Sequence, residues 1–393
     1  MERINKWKDR LEFVCIPYKT MQHHIIFLFC FIAHVASTTI PSASSSSSFV
    51  FLADLHIGEG CNTSSTNYQL NDTNCYSVRD LQATISKINA LVSNTSLIII
   101  GGDITSSAQI TEFQAAQKYL SKLQSPWIAT IGNHDVWSYD QIIGDRTKTP
   151  MGDKLFSSIF HDSFVAMSTL GHLTYPNITA RSKNNSKSLH GQSWTLKPGK
   201  TFAKGLQTLT FVAPDFNTRN RAPPPCPGHS PIGGCGVTGN ADFNNISNGT
   251  GGSWQWFENE IKTNVRTNDT VFYISHQPFR CREGVPDWYF CYSKTMKQEF
   301  RTLIQRYELE PAFERGASLN GHQHRWFDGS CFDEWPHFKQ FEVSAVKGDV
   351  FDAKMSSSFA IFEIDDVGST TGIQRWWREN KIWMSSMSST IVQ

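Results

Sequence analysis

The chain has 393 residues, 39% hydrophobic, 18% charged and 12% aromatic, which excludes a disordered or collagen-like protein and supplies a large core. Its 36 lysines and arginines balance 35 aspartates and glutamates, so no broad basic field exists to hold duplex nucleic acid, and affinity for an anion must be local.

In chain order the first feature is an apolar run at 25–33, too short to span a bilayer. Arg3, Lys6, Lys8, Arg10 and Lys19 precede it, and the small residues Ala36, Ser37 and Thr38 follow. This pattern predicts a secretory signal peptide over 1–36, with Met21 as an alternative start and an uncleaved signal-anchor as the alternative reading. A Ser-rich linker over 37–48 follows.

Eight Asn-x-Ser/Thr sequons, at Asn62, Asn71, Asn94, Asn177, Asn184, Asn245, Asn248 and Asn268, agree with secretion or residence in a secretory lumen. Seven cysteines lie beyond the signal. Their spacing suggests local disulfides Cys61–Cys75, Cys226–Cys235 and Cys281–Cys291 with Cys331 left over, and no Cys-x-x-Cys pair points to a zinc finger.

From Phe49 onward, short apolar runs alternate with helical periodicity, which predicts an α/β domain over 49–393. Phe49–Ala53 reads as a buried strand. Val78, Leu81, Ile85, Ile88 and Leu91 predict a crossover helix before a strand at Leu97–Ile100. Ile110, Phe113, Ala116, Leu120 and Leu123 predict another before a strand at Trp127–Ile131. The stretch 171–252, rich in Asn, Ser, Gly and Pro, reads as a loop-rich insertion around one strand near 206–213. Helices are expected at 254–265 and 294–307, and strands at 271–274, 338–346 and 358–364. The expected architecture is a mixed β-sandwich flanked by helices.

What stands at the C-terminal end of each strand carries the chemistry, since ligands bind at that edge in open α/β sheets. The ends deliver Asp54-Leu55-His56, Gly101-Gly102-Asp103, Gly132-Asn133-His134-Asp135, Ser275-His276 and Asn320-Gly321-His322-Gln323-His324. In extended backbone, residues i and i+2 face one side, so Asp54 with His56, and His322 with His324, are expected to share a site. Asp54, His56, Asp103, Asn133, His276, His322 and His324 are too many ligands for one ion. Mixed imidazole and carboxylate donors suit zinc, iron or manganese, and a shared carboxylate can hold two ions about 3.5–4 Å apart.

These blocks, in this order, resemble the calcineurin-like metallophosphoesterases over roughly 49–365, Gly-Asn-His-Asp being the most specific. The resemblance implies a sandwich with a dimetal site at the strand ends and two divalent or mixed-valence ions. Asp54, His56 and His324 would hold one, Asn133, His276 and His322 the other, and Asp103 would bridge them. It implies hydrolysis of phosphoric esters by a metal-bridging hydroxide attacking in line, with His134 as the catalytic histidine; on chemical grounds His134 is expected to serve the leaving oxygen, with Asp135 or another carboxylate orienting its ring.

Subfamily patterns leave the substrate open. Purple acid phosphatases place a Tyr three residues after the bridging Asp, where this chain has Ser106, and protein phosphatases place an Asp-Arg-Gly where it has Ile104-Thr105-Ser106. The short Asp103-to-Asn133 gap looks like the cyclic-nucleotide phosphodiesterases; the sequons and cysteines look like the acid sphingomyelinases. A phosphodiester, nucleotide or lipid headgroup is the expected substrate, with an acid phosphomonoesterase or a glycosylated binding protein as alternatives. No protein partner is expected. Arg280, Arg282 and Trp288 are candidates to line the mouth of the site.

Overall fold

The computed structural model describes residues 47–61, 70, 75–92, 96–136, 151–175, 193–198, 208–217, 241–243, 252–281, 283, 291–346, 355–365 and 369–388. The segment expected as a signal, and Cys226, Cys235, Arg282 and Trp288, lie outside them.

Among the described residues, thirteen strands form two sheets. The first has the order β13-β12-β11-β1-β2-β3, built from β1 (Ser47–Leu52), β2 (Leu97–Ile100), β3 (Trp127–Ala129), β11 (Met355–Ile364), β12 (Thr370–Glu379) and β13 (Ile382–Ser388). The second has the order β4-β5-β6-β7-β8-β10-β9, built from β4 (Gly171–Thr174), β5 (Trp194–Pro198), β6 (Leu209–Ala213), β7 (Thr270–Ile274), β8 (Ala317–Asn320), β9 (Phe327–Ser330) and β10 (Lys339–Glu342). Both are mixed: β1, β2 and β3 run parallel, as do β6, β7, β8 and β10, while the remaining pairs are antiparallel.

Phe49 packs its ring on Phe211 and Phe272 of the opposite sheet, at centroid distances of 5.1 and 4.8 Å, and Phe341 meets Phe362 at 5.7 Å. These contacts form the inner layer of a sandwich. The pleat then decides what the outer face receives. In β7, Phe272 and Ile274 enter this inner core, whereas Val271 and Tyr273 enter a second cluster under α6 (Gly252–Asn264), α7 (Lys294–Arg306) and α8 (Glu310–Arg315). The first sheet is backed by α1 (Tyr76–Leu91) and α2 (Ile110–Leu120), whose periodic apolar residues Val78, Leu81, Ile85, Ile88, Phe113, Ala116 and Leu120 are all buried. Short helices α3 (Asn133–Val136), α4 (Met151–Ile159) and α5 (His161–Ser168) complete the described set. Among the described residues, no helix is long and apolar enough to cross a membrane.

The structure departs from the sequence reading in several regions, among them α4, α5, α8 and β9, where no element was expected. The stretch 171–252, expected as loops around one strand, contributes β4, β5 and β6 to the second sheet. Burial rather than composition places β5: Trp194, Thr195 and Leu196 are buried, and the Trp194 indole N–H donates to the Ala129 carbonyl at 3.0 Å. Beyond 364, where nothing was expected, β12 and β13 form a hairpin. Its two-residue turn has positive φ at both Asn380 (47°) and Lys381 (68°), the handedness that matches strand twist.

The disulfides Cys61–Cys75 and Cys281–Cys291 are formed, and Cys331 is free and buried.

Candidate metal centre

The site grows out of the strand ends by continued backbone pairing. Past β1 and β2, Asp54 N–H donates to Gly102 O (3.0 Å), His56 N–H to Asp103 O (2.9 Å) and Ile57 N–H to Ile104 O (2.9 Å). Asp54, His56, Asp103, His322 and His324 all have left-handed backbone, with φ of 55°, 43°, 50°, 75° and 52°. Such a conformation costs an L-residue about 1–2 kcal/mol, least for Asp, Asn and His, and it is retained where surrounding contacts over-determine it. The i, i+2 pairing of Asp54 with His56 and of His322 with His324 therefore arises from left-handed residues and not from a pleat, as the sequence reading supposed.

Close approach fixes the neighbouring glycines. A Cβ on Gly132 would strike the Asp103 carboxylate and amide, and one on Gly321 would strike the Asp54 carboxylate.

The seven expected ligands converge. His56 Nε2 lies 3.2 Å from His324 Nε2, 3.8 Å from Asp54 Oδ1 and 3.5 Å from Asp103 Oδ2. His276 Nε2 lies 3.0 Å from the same Asp103 Oδ2, 3.1 Å from Asn133 Oδ1 and 3.1 Å from His322 Nδ1. His324 Nε2 lies 3.3 Å from Asp54 Oδ1. Donor atoms around an ion at zinc-like bond lengths stand roughly 3.3–3.6 Å apart, so these residues fit a metal centre. Three compact donor groups emerge among the described residues: Asp54 with His56 and His324, Asp103 with His276 and His322, and, linking these two, His56 with Asp103 and His134.

Hydrogen bonds set the tautomers. A carbonyl can only accept, so His276 Nδ1 donates to Gly101 O at 2.9 Å and frees Nε2 for the centre. Asp54 is pinned from the other sheet, both of its oxygens accepting from His322 N–H at 3.0 Å. Burial works against ionised Asp54 and Asp103, yet His324 and His56 around the first and His276 and His134 around the second hold both carboxyls well below their ordinary range. His276 is desolvated too, but Asp103 and Asp54 push it up to about 9; His322, buried beside His276, is pushed down to about 3.

His134 stands at the rim, half-buried, its ring edge-on to His56 at 4.6 Å. Asp135 does not orient that ring. His134 Nδ1 donates to Ser106 O at 2.8 Å, and the Asp135 carboxylate is taken by Ile104 N–H, Thr105 N–H, the Thr105 hydroxyl and Gly132 N–H, at 2.7–3.1 Å. Four donors within the loops on either side of it leave Asp135 as the tie between those loops.

Arg280 is not brought to the centre either. Its guanidinium pairs with Asp333 along a cleft of 630 Å³ shared with Lys294, Lys297, Arg301 and Arg325, and no candidate ligand lines that cleft. Arg325, next to His324, is drawn onto buried Glu342 (Nε to Oε2, 3.0 Å) and onto the Arg280 carbonyl (3.0 Å). Burial pushes Glu342 up to about 8 despite that partner.

Sequence reasoning missed the carbonyls of Gly101 and Ser106, since every residue offers one. It also missed Asn320, whose amide donates to Ser275 O (2.8 Å) and Gln277 O (3.0 Å) on either side of His276. An Asn closing a buried strand just before Gly321 was the available signal.

A fold of two mixed sheets flanked by helices, with this donor set at the strand ends, is that of a dimetal hydrolase. The sequence profile of the Calcineurin-like phosphoesterase family matches residues 47–326, and the chain belongs to that family. It is accordingly a hydrolase of phosphoric esters. Among solved structures it is similar to a dimetal phosphatase from Danio rerio (11% identity, 86% of this chain and 98% of that one, TM-score 0.49). It is also similar to PhoD (11%, 88% and 68%, 0.44) and to a 5'-nucleotidase precursor from Thermus thermophilus (11%, 88% and 55%, 0.38). No curated protein matches the chain.

Proposed function

We propose that the protein is a secreted phosphodiesterase in which Asp54, His56 and His324 would hold one transition-metal ion, Asn133, His276 and His322 would hold a second, and Asp103 would serve both. The observation that carries the ligand assignment is the position of Asp103 Oδ2, 3.5 Å from His56 Nε2 and 3.0 Å from His276 Nε2, between the two donor groups. When bound, the ions supply Lewis acidity at the phosphate and lower the pKa of water at the centre. The chain's own residues do the rest. His134 commits its Nδ1–H to Ser106 O, which leaves Nε2 as the atom that carries a proton to the leaving oxygen. Asp135 keeps the loops bearing Asp103 and His134 in register.

A diester fits better than a monoester. Of the two described arginines beside ligand segments, Arg325 is held by buried Glu342, and Arg280 lies in a cleft that no candidate ligand lines, so neither guanidinium is placed to clamp a dianionic phosphate. A singly charged diester needs no such clamp. Purified protein loaded with metal is expected to hydrolyse bis(p-nitrophenyl) phosphate faster than p-nitrophenyl phosphate, with loss of activity in chelator. Preference for the monoester would refute the diesterase reading. His134→Ala should retain metal and lose turnover about 10²-fold or more; full activity in that variant would remove the role given to His134.

Secretion is supported by the two disulfides and by Asn268, which is exposed at a turn beside β7. The other seven sequons lie outside the described residues. Protein recovered from medium of expressing cells should start near residue 37 and shift in mass on glycosidase treatment; recovery only in the cytosol would overturn it.

A further inference from the structure

We propose that Glu59 is a positioning residue for His56, holding the ring from its Nδ1 side while Nε2 faces the centre, and that the Cys61–Cys75 disulfide holds Glu59 in place. The inference rests on the reading of His56 as a metal ligand.

The turn following His56 brings the carboxylate back to the ring it follows. Glu59 N–H donates to His56 O at 3.0 Å, and Glu59 Oε2 stands 3.7 Å from His56 Nδ1. On the far side of the ring, Nε2 lies 3.2–3.8 Å from His324, Asp103 and Asp54. A distance of 3.7 Å is longer than a hydrogen bond, so Glu59 acts as a charge beside the Nδ1 side, where it favours N–H at Nδ1 and a lone pair at Nε2.

Glu59 is itself held by the start of α1. The Tyr76 hydroxyl donates to Glu59 Oε1 at 3.1 Å, and the Ser77 hydroxyl donates to the Glu59 carbonyl at 2.9 Å. Both donors follow Cys75 directly, and Glu59 stands two residues before Cys61, so one disulfide ties the carboxylate to the residues that orient it. Between them Gly60 has φ of 65°, and a Cβ there would enter the Tyr76 ring. A covalent bond and two hydroxyls thus converge on the one carboxylate that stands beside the His56 ring.

Titration of the purified, metal-stripped full-length protein with Co²⁺ tests this, followed by visible absorption and by competition with a chelator of known affinity. The Glu59→Gln variant keeps the size of the side chain and an acceptor for Tyr76 but removes the charge. Its side chain is 36% exposed, so the substitution does not disturb the core. One of the two Co²⁺ affinities is expected to fall about 10–100-fold with an altered spectrum, the other to stay unchanged, and thermal unfolding of the metal-free protein to match the parent. Glu59→Asp should recover part of the loss, and Tyr76→Phe should reproduce a smaller part. Cys61→Ser with Cys75→Ser should weaken the same ion, and adding Glu59→Gln to that pair should cost little more.

Wild-type Co²⁺ affinity and spectrum in Glu59→Gln would overturn the proposal. The control is His56→Ala: if it binds both ions normally, the ligand assignment has failed, whereas loss of one ion there with normal binding in Glu59→Gln rejects the role of Glu59 alone.

Discussion

At the ends of β2 and β3 the ligand-bearing loops are tied by an anion, and at the ends of β7 and β8 by a neutral amide. Asp135 accepts from Ile104, Thr105 and Gly132 around Asp103 and Asn133; Asn320 donates to the carbonyls of Ser275 and Gln277 around His276 and accepts from the Ser318 hydroxyl at 2.8 Å. The first tie gathers N–H groups that the sharp turns leave pointing inward, and the second gathers C=O groups. A second carboxylate beside Asp103 has its own cost: burial and then Asp103 push Asp135 up to about 7 against the donors that favour its anion. Donor count decides which tie matters more, since an unsatisfied buried N–H is rarer and less tolerated than an under-satisfied C=O.

The largest effect is therefore expected at Asp135. Asp135→Ala leaves three buried N–H groups without their acceptor, at about 1–3 kcal/mol each, which is a large share of the stability of an ordinary domain. Thermal unfolding should drop steeply or folded protein should not accumulate, and Asp135→Asn should lie between. A melting temperature for Asp135→Ala equal to that of the parent would show that the loops do not depend on this tie.

Asn320→Ala comes next. It removes both bonds flanking His276 but leaves carbonyls, each able to take water, so a loss of about 1–2 kcal/mol is expected with the fold retained. The metal readout sharpens the contrast: Asn320→Ala should weaken the ion assigned to His276 and His322 and spare the other. Equal weakening of both would mean that the two ends respond as one unit.

How much of this could be read in the sequence follows the same division. Side chains that ligate metals have few other reasons to recur at successive strand ends, so Asp54, His56, Asp103, Asn133, His276, His322 and His324 stood out and the structure brings them together. The inner strands were legible because both faces are buried, as in β7, where every residue is apolar or a fully buried Thr. The ties were not. Asp135 sits next to His134 in sequence, which suggested a contact with its ring, but one turn of α3 sends the carboxylate back to Gly132 and Thr105. The hairpin β12–β13, whose second strand is mostly exposed, was passed over because it offers no long continuous apolar run, although Asn380 marks its turn.

The smallest effect is expected in α1, where a carboxylate has neither kind of tie. Asp80 is 7% exposed, and burial pushes it up to about 6 although Arg79 and Arg378 pull the other way, the Arg378 guanidinium standing 3.6 Å off. A carboxyl raised above its unfolded value binds its proton more tightly when folded, so its contribution to stability is favourable below about pH 4 and is lost as the pH rises through about 6. At pH 7.5 the ionised side chain is a net burden, since its desolvation outweighs the pull of Arg79 and Arg378. Asp80→Asn should accordingly melt higher than the parent at pH 7.5 and alike near pH 4, and comparing variant with parent at each pH cancels whatever the metal ligands do. A variant that melts lower at pH 7.5 would mean that the Arg378 pair outweighs the burial of Asp80, and that this helix too is held by a charged tie.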